Sequence, residues 1–238
     1  MNKPPLDHDN FAADLRAAAD ALLAPANGRE SALLAAGVER YLATLNKALR
    51  MLEREDGARL PPSDVTRLGE LGLDLLGRMM ARCTPETQAL RDRLSLHVLP
   101  LAVWVALQGG ALRVLEPLVN VLSEVANGTR KPDRLGELAD LMAFLIDAVA
   151  DDIRQDADRI DPSRPWRVLN LNYGIVATRS HDPQRMERAF NALCFRLPED
   201  APGFFAEGMQ QMDVIGYPEH VRAVMEKYHR TSAHPTLH

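Results

Sequence analysis

The sequence predicts an all-α protein: antiparallel helical hairpins stacked as an α-solenoid, a superhelical array, with an irregular helical bundle as the alternative arrangement of the same helices. Three observations carry this. Apolar residues recur at steps of three and four almost throughout, and no stretch sustains the period-two alternation of a β-strand. Residues that start and stop helices fall where that spacing begins and ends. The pentapeptide RLGEL occurs at residues 67–71 and again at 134–138, 67 residues on.

The spacing places helices near 9–24, 29–55, 63–82, 85–108, 111–126, 132–157, 165–180, 183–197 and 201–213, with a tenth at 218–230. In 29–55 the apolar positions Leu34, Val38, Tyr41, Leu45, Leu49 and Leu52 make one helical stripe. Ser63, Thr84 and Asp182 stand where N-caps belong, and Pro85 and Pro183 follow two of them at the first helical position. Asn127-Gly128 and Gly216 read as helix ends or turns. The most apolar stretch, 99–122, is interrupted by Pro100, Gly109-Gly110, Arg113, Glu116 and Pro117. It reads as two buried helices joined at the glycine pair, because a membrane span needs roughly 20 uninterrupted apolar residues. The expected organisation is an N-terminal arm and first helix over 1–28, one all-helical domain over 29–230, and a flexible tail over 231–238. Residues 1–8 are expected to be as loose as the tail.

Composition narrows the function classes. At 46 % hydrophobic and 26 % charged, the chain can bury a core. Its net charge is −5 and Lys and Arg do not cluster, which argues against nucleic acid as a partner, since phosphates require a basic face. The two cysteines, Cys83 and Cys194, lack the spacing of a zinc site and the number of a disulfide framework, and a reducing compartment is expected. The first residues lack an apolar core of signal-peptide length, so the expected location is cytoplasmic, with no membrane partner.

The RLGEL pair belongs to a longer pattern of large apolar, small, Glu. A degraded third copy lies at Phe204-Phe205-Ala206-Glu207. The small residues Gly69, Gly136 and Ala206 are 67 and 70 apart. Val98-Leu99-Pro100-Leu101 echoes Val168-Leu169-Asn170-Leu171, and Asn120-Val121-Leu122 echoes Asn191-Ala192-Leu193. Half of this period is about 34 residues, one helical hairpin. In that register residues 171–200 resemble one tetratricopeptide repeat: Gly174 is the small residue of the first helix, Phe190 the large apolar residue of the second, and Pro198 the closing proline. Stepping 34 from Gly174 reaches Gly208, with Phe204 at the early aromatic position and Tyr217 at the turn. Met186 and His220 replace the family's usual alanines. The resemblance spans 63–230 and is clearest over 171–230. It implies that the small residue lets the two helices of a hairpin approach, that the large one fills the gap to the next hairpin, and that a concave surface binds a protein or peptide segment.

Few residues offer chemistry. Asp151-Asp152-Ile153-Arg154-Gln155-Asp156 resembles the aspartate-rich motif of isoprenoid synthases, in which carboxylates on one helical face hold Mg²⁺ against a diphosphate. On one continuous helix Asp152 and Asp156 share a face, as do Asp147 and Asp151. The competing reading is a solvated acidic face (Asp147, Asp151, Asp152, Asp156, Asp158, Asp161) or a patch for a basic partner segment. With 5 % aromatic residues and no second metal motif, the enzyme stands as the alternative. Glu226 and His229 form a single ExxH, where a di-iron bundle needs two. His97 lies among apolar residues, as a buried, hydrogen-bonded histidine does. Phe204, Phe205, Met209, Met212, Tyr217, Met225 and Tyr228 are expected mainly in the core, with Phe204, Met209 and Tyr217 available to a partner helix. The favoured function is thus an adaptor or regulatory module needing no cofactor, with partner-binding residues Asp147, Asp151, Phe204, Met209 and Tyr217. The alternative is an all-helical Mg-diphosphate enzyme using Asp151, Asp152 and Asp156. A self-assembling homo-oligomeric subunit is the third reading.

Overall fold

The computed structural model describes residues 6–23, 29–54, 59–156 and 159–232. Among them the chain is all-α, with stacked helices and no β-strand. Residues 1–5 of the end expected to be loose over 1–8, most of the 231–238 tail and Asp158 lie outside the described residues. The helices are α1 (His8–Leu23), α2 (Arg29–Arg54), α3 (Pro62–Met80), α4 (Gln88–Ser95), α5 (Val98–Leu107), α6 (Glu116–Gly128), α7 (Pro132–Asp147), α8 (Asp151–Arg154), α9 (Pro165–Arg179), α10 (Pro183–Arg196), α11 (Ala201–Ile215) and α12 (Glu219–Ser232), with a 3-10 turn at Pro85–Thr87. None is long and apolar enough to cross a membrane. The chain forms two compact units, residues 1–121 with 148–150, and residues 122–147 with 151–238.

The predicted starts and stops hold with instructive exceptions. Asp182 caps α10, accepting from the Gln184 and Arg185 amides at 2.9 and 3.1 Å. Thr84 caps the 3-10 turn. Gly216 ends α11 in the left-handed conformation (φ +76°), and α6 ends on Gly128. Ser63 is not a cap: α3 begins one residue earlier, at Pro62, with Pro61 in the cap position. The helix expected over 85–108 breaks at Leu96-His97, because Pro100 has no amide for the Leu96 carbonyl and its ring crowds that oxygen. The helix expected from 111 starts at Glu116, ahead of Pro117, since Leu112 is extended. The Leu112 amide donates to the Ala148 carbonyl at 2.8 Å, and the Ala150 amide donates to the Leu112 carbonyl at 3.0 Å. That bridge interrupts the helix expected over 132–157, leaving α7 and the four-residue α8.

In the first unit α3 packs on α2, α4 and α5, and α1 packs on α2 and α4. Its core includes Phe11, Leu15, Leu42, Leu73, Leu76, Leu101 and Val105. Two glycines of α3 permit this. A Cβ on Gly69 would collide with the Val105 side chain of α5, and one on Gly72 with the Tyr41 hydroxyl of α2. Among the described residues the buried Tyr41 hydroxyl has no hydrogen-bond partner, and burial raises its pKa above the ordinary range. Behind α3, His97 Nε2 donates to Asp14 Oδ2 at 2.8 Å, Arg93 pairs with the same carboxylate, and Phe11 lies against the imidazole at 5.3 Å. His97 is the buried, bonded histidine its apolar setting implied.

In the second unit α9 packs on α7 and α10, and α11 packs on α12. Phe190 of α10 is fully buried, 5.8, 5.0 and 5.2 Å from the rings of Phe204, Phe205 and Tyr228. It packs α10 against α11 and α12. Gly174 behaves differently from the repeat register. A Cβ there would meet the Phe204 ring of α11 at 2.7 Å, so the glycine makes room for the following hairpin rather than for its own second helix. Gly208 makes room for Met225 within its own hairpin.

Candidate functional site

The second copy of RLGEL opens onto an ionic cluster. A Cβ on Gly136 would sit 3.1 Å from the Arg185 guanidinium. Arg185 donates from Nη2 to Asp140 of α7 at 2.7 Å and from Nη1 to Asp182 at 2.6 Å, and Arg188 adds a 3.2 Å contact to Asp140. The Asp140 carboxyl is held below its ordinary value, foremost by the Arg185 hydrogen bond.

The acidic motif is dispersed. Helix α8 ends at Arg154, and Asp156 takes a left-handed backbone (φ +49°), so Asp152 and Asp156 are not one helical turn apart. Asp156 is buried and accepts two hydrogen bonds from Arg164, at 2.6 and 2.7 Å. Asp151 is exposed and pairs with Arg154 at 2.7 Å, and Asp152 is exposed. Asp147 pairs with Arg196 at 3.0 Å, and Asp161 caps its own turn through Ser163. Among the described residues no group of three or more His, Cys, Asp or Glu side chains is arranged to hold a metal ion.

The residues expected to meet a partner have separate surroundings. Phe204 is half-buried against Phe190, Phe205 and Gly174. Met209 is half-buried on α11. Tyr217 lies edge-on to His181 at 5.5 Å, in a shallow hollow of about 300 Å³ shared with Arg130, Arg179 and Ile215. Phe205, Met212, Met225 and Tyr228 are core.

A larger concavity lies elsewhere, in the first unit. A groove of about 990 Å³ runs between α2 and α3. From α2 it takes Leu33, Gly37, Arg40, Tyr41, Thr44, Lys47, Ala48 and Met51, and from α3 Asp64, Arg67, Leu68, Leu71, Asp74, Leu75 and Arg78. These are stripes at steps of three and four on both helices. Eighteen residues of rise from Leu33 to Met51 give the groove a length of about 27 Å. Leu33, Met51 and Leu71 are 60, 53 and 45 % exposed, whereas Val38, Leu42 and Leu45, on the other side of α2, are buried. Helix α2 therefore carries more apolar surface than its packing on α1 and α3 covers. Nothing in the sequence pointed here: the stripe of α2 reads as core, and only packing shows which part of it stays open.

No family model, curated protein or solved structure matches the chain.

Proposed function

We propose that the chain is a protein-interaction module, an adaptor or accessory protein of stacked helical hairpins in the manner of tetratricopeptide arrays, and that it holds a helical segment of a protein partner in the α2–α3 groove. The observation that carries this reading is the groove itself: two parallel stripes with exposed Leu33, Met51 and Leu71 beside the small residues Gly37, Thr44 and Ala48. Helices pack at interaxial distances of about 8–10 Å, and small residues along the floor permit that approach. An amphipathic helix laid in such a groove buries apolar positions at i, i+3, i+4 and i+7.

The hairpin array is supported by a pairing that the two RLGEL copies share, whereas the helix of the degraded copy pairs with the next helix in the chain. The helix carrying each copy of the small-Glu pattern packs against a later helix of its own copy: α3 with α5, α7 with α9, α11 with α12. The echoing segments Val98-Leu101 and Val168-Leu171 lie in α5 and α9.

The test is co-purification of the full chain with its partner from the native cell extract, wild type beside Leu71→Asp. The exposed Leu71 tolerates a carboxylate without unfolding, which thermal melting verifies. A stoichiometric partner retained by wild type and lost by Leu71→Asp is the expected result. A partner retained equally by both rejects the groove.

A further inference from the structure

Resting on that reading, we infer that the segment the α2–α3 groove accepts is an acidic amphipathic helix, with Glu or Asp flanking its apolar stripe. The rim decides the sign. Arg40 and Lys47 on the α2 side and Arg67 on the α3 side line the groove, and none of the three makes an ion pair among the described residues. Asp74 and Arg78 lie 3.7 Å apart and offset each other. Among the described residues Asp64 is the one further carboxylate in the lining. The described residues of the lining therefore carry an excess of two positive charges on a chain whose net charge is −5. Just outside it, Arg50 shares a shallow depression with Lys47 and Met51, extending the basic flank of α2.

A concave surface whose sign opposes that of the whole molecule steers oppositely charged partners and repels like ones. Arg40 and Lys47 are seven residues apart, two helical turns, so carboxylates at the same spacing on an incoming helix meet both. The same charges disfavour a second copy of this chain as occupant, because a twofold pairing through this face sets Arg40, Lys47 and Arg67 against themselves. Flexible cationic stems also cover apolar surface while their heads stay in water, which suits a rim.

The test is selection of helix-forming 18-residue peptides from a display library against the full chain, with three baits: wild type, Leu71→Asp, and the charge-reversed Arg40→Glu/Lys47→Glu/Arg67→Glu. All three substituted rim positions are exposed, and circular dichroism and melting check that each bait is folded. The expected peptides for wild type have an apolar i, i+3, i+4, i+7 stripe flanked by Glu or Asp. They lose at least tenfold in affinity on Leu71→Asp and on charge reversal, and the charge-reversed bait selects Lys- and Arg-flanked peptides instead. Peptides that need Leu71 but have neutral or basic flanks overturn the acidic partner and leave the groove standing. Peptides indifferent to Leu71 overturn the groove as well. Concentration-dependent dimerisation in light scattering, abolished by Leu71→Asp, assigns the face to a second copy and also overturns the proposal.

Discussion

Tyr41 and Gly72 show how a single residue sets local energetics. The Tyr41 hydroxyl occupies the space a Cβ on Gly72 would fill, and it is buried with no hydrogen-bond partner among the described residues. An unsatisfied buried hydroxyl costs about 1–3 kcal/mol. Tyr41→Phe is therefore expected to raise the stability of the first unit by about 1 kcal/mol, read as an increase in Tm. Gly72→Ala is expected to lower it by about 1–3 kcal/mol through overpacking, and Tyr41→Phe in the same molecule to restore part of that loss, since the sites touch. Equal, additive effects in the double variant would show that the two do not share that space. A second residue-scale prediction concerns Asp140. Its carboxyl is held below the ordinary 3.8 by the Arg185 hydrogen bond, against partial burial, and then by the charges of Arg185 and Arg188. A carboxylate whose pKa is lowered by folding adds stability above its unfolded pKa and loses it as the pH falls through its folded one. The Tm deficit of Asp140→Asn should be full at neutral pH and shrink below about pH 4. A deficit unchanged at pH 2 contradicts this role.

At the scale of elements, the two RLGEL copies have different neighbours. Gly69 faces the β-branched Val105, whose χ1 is stiff within α5, whereas Gly136 faces the movable end of Arg185. Alanine gains about 1 kcal/mol over glycine in a helix interior. Gly136→Ala should therefore leave stability unchanged or slightly raised. Gly69→Ala should lower it by about 1–3 kcal/mol, because neither backbone can yield cheaply. Denaturant melts of the two variants decide this, and equal losses would mean that the copies are packed alike. The stripes of three and four, Asp182 and Gly216 made helices and their ends legible in the sequence, because those signals act within one turn. What was not legible came from distant pairing. The extended Ala148–Ala150 segment pairs with Leu112 and divides an apolar, helix-favouring run that carries no local break. Pro100 and Pro117 did carry the breaks at Leu96-His97 and before Glu116. Asp151 to Asp156 looked like one helical face, and a left-handed Asp156 drawn to Arg164 dispersed it.

At the scale of the whole molecule, charge and open apolar surface carry the functional reading. A chain of net charge −5 keeps a basic, apolar groove between α2 and α3. The acidic residues of the 147–156 stretch are largely engaged by arginines within their own unit, Asp147 by Arg196, Asp151 by Arg154 and Asp156 by Arg164. The candidate site was illegible because nothing in a helical stripe says which neighbour is missing. The most direct measurement is site-specific photo-cross-linking of the full chain in its native cells. A benzophenone side chain would replace Thr44, on the groove floor, or Ala223, exposed on α12 of the other unit. A protein-binding groove predicts one dominant adduct from position 44, mapping to an acidic helical segment of a single partner, with no such adduct from position 223. The same yield and the same adducts from both positions would contradict it.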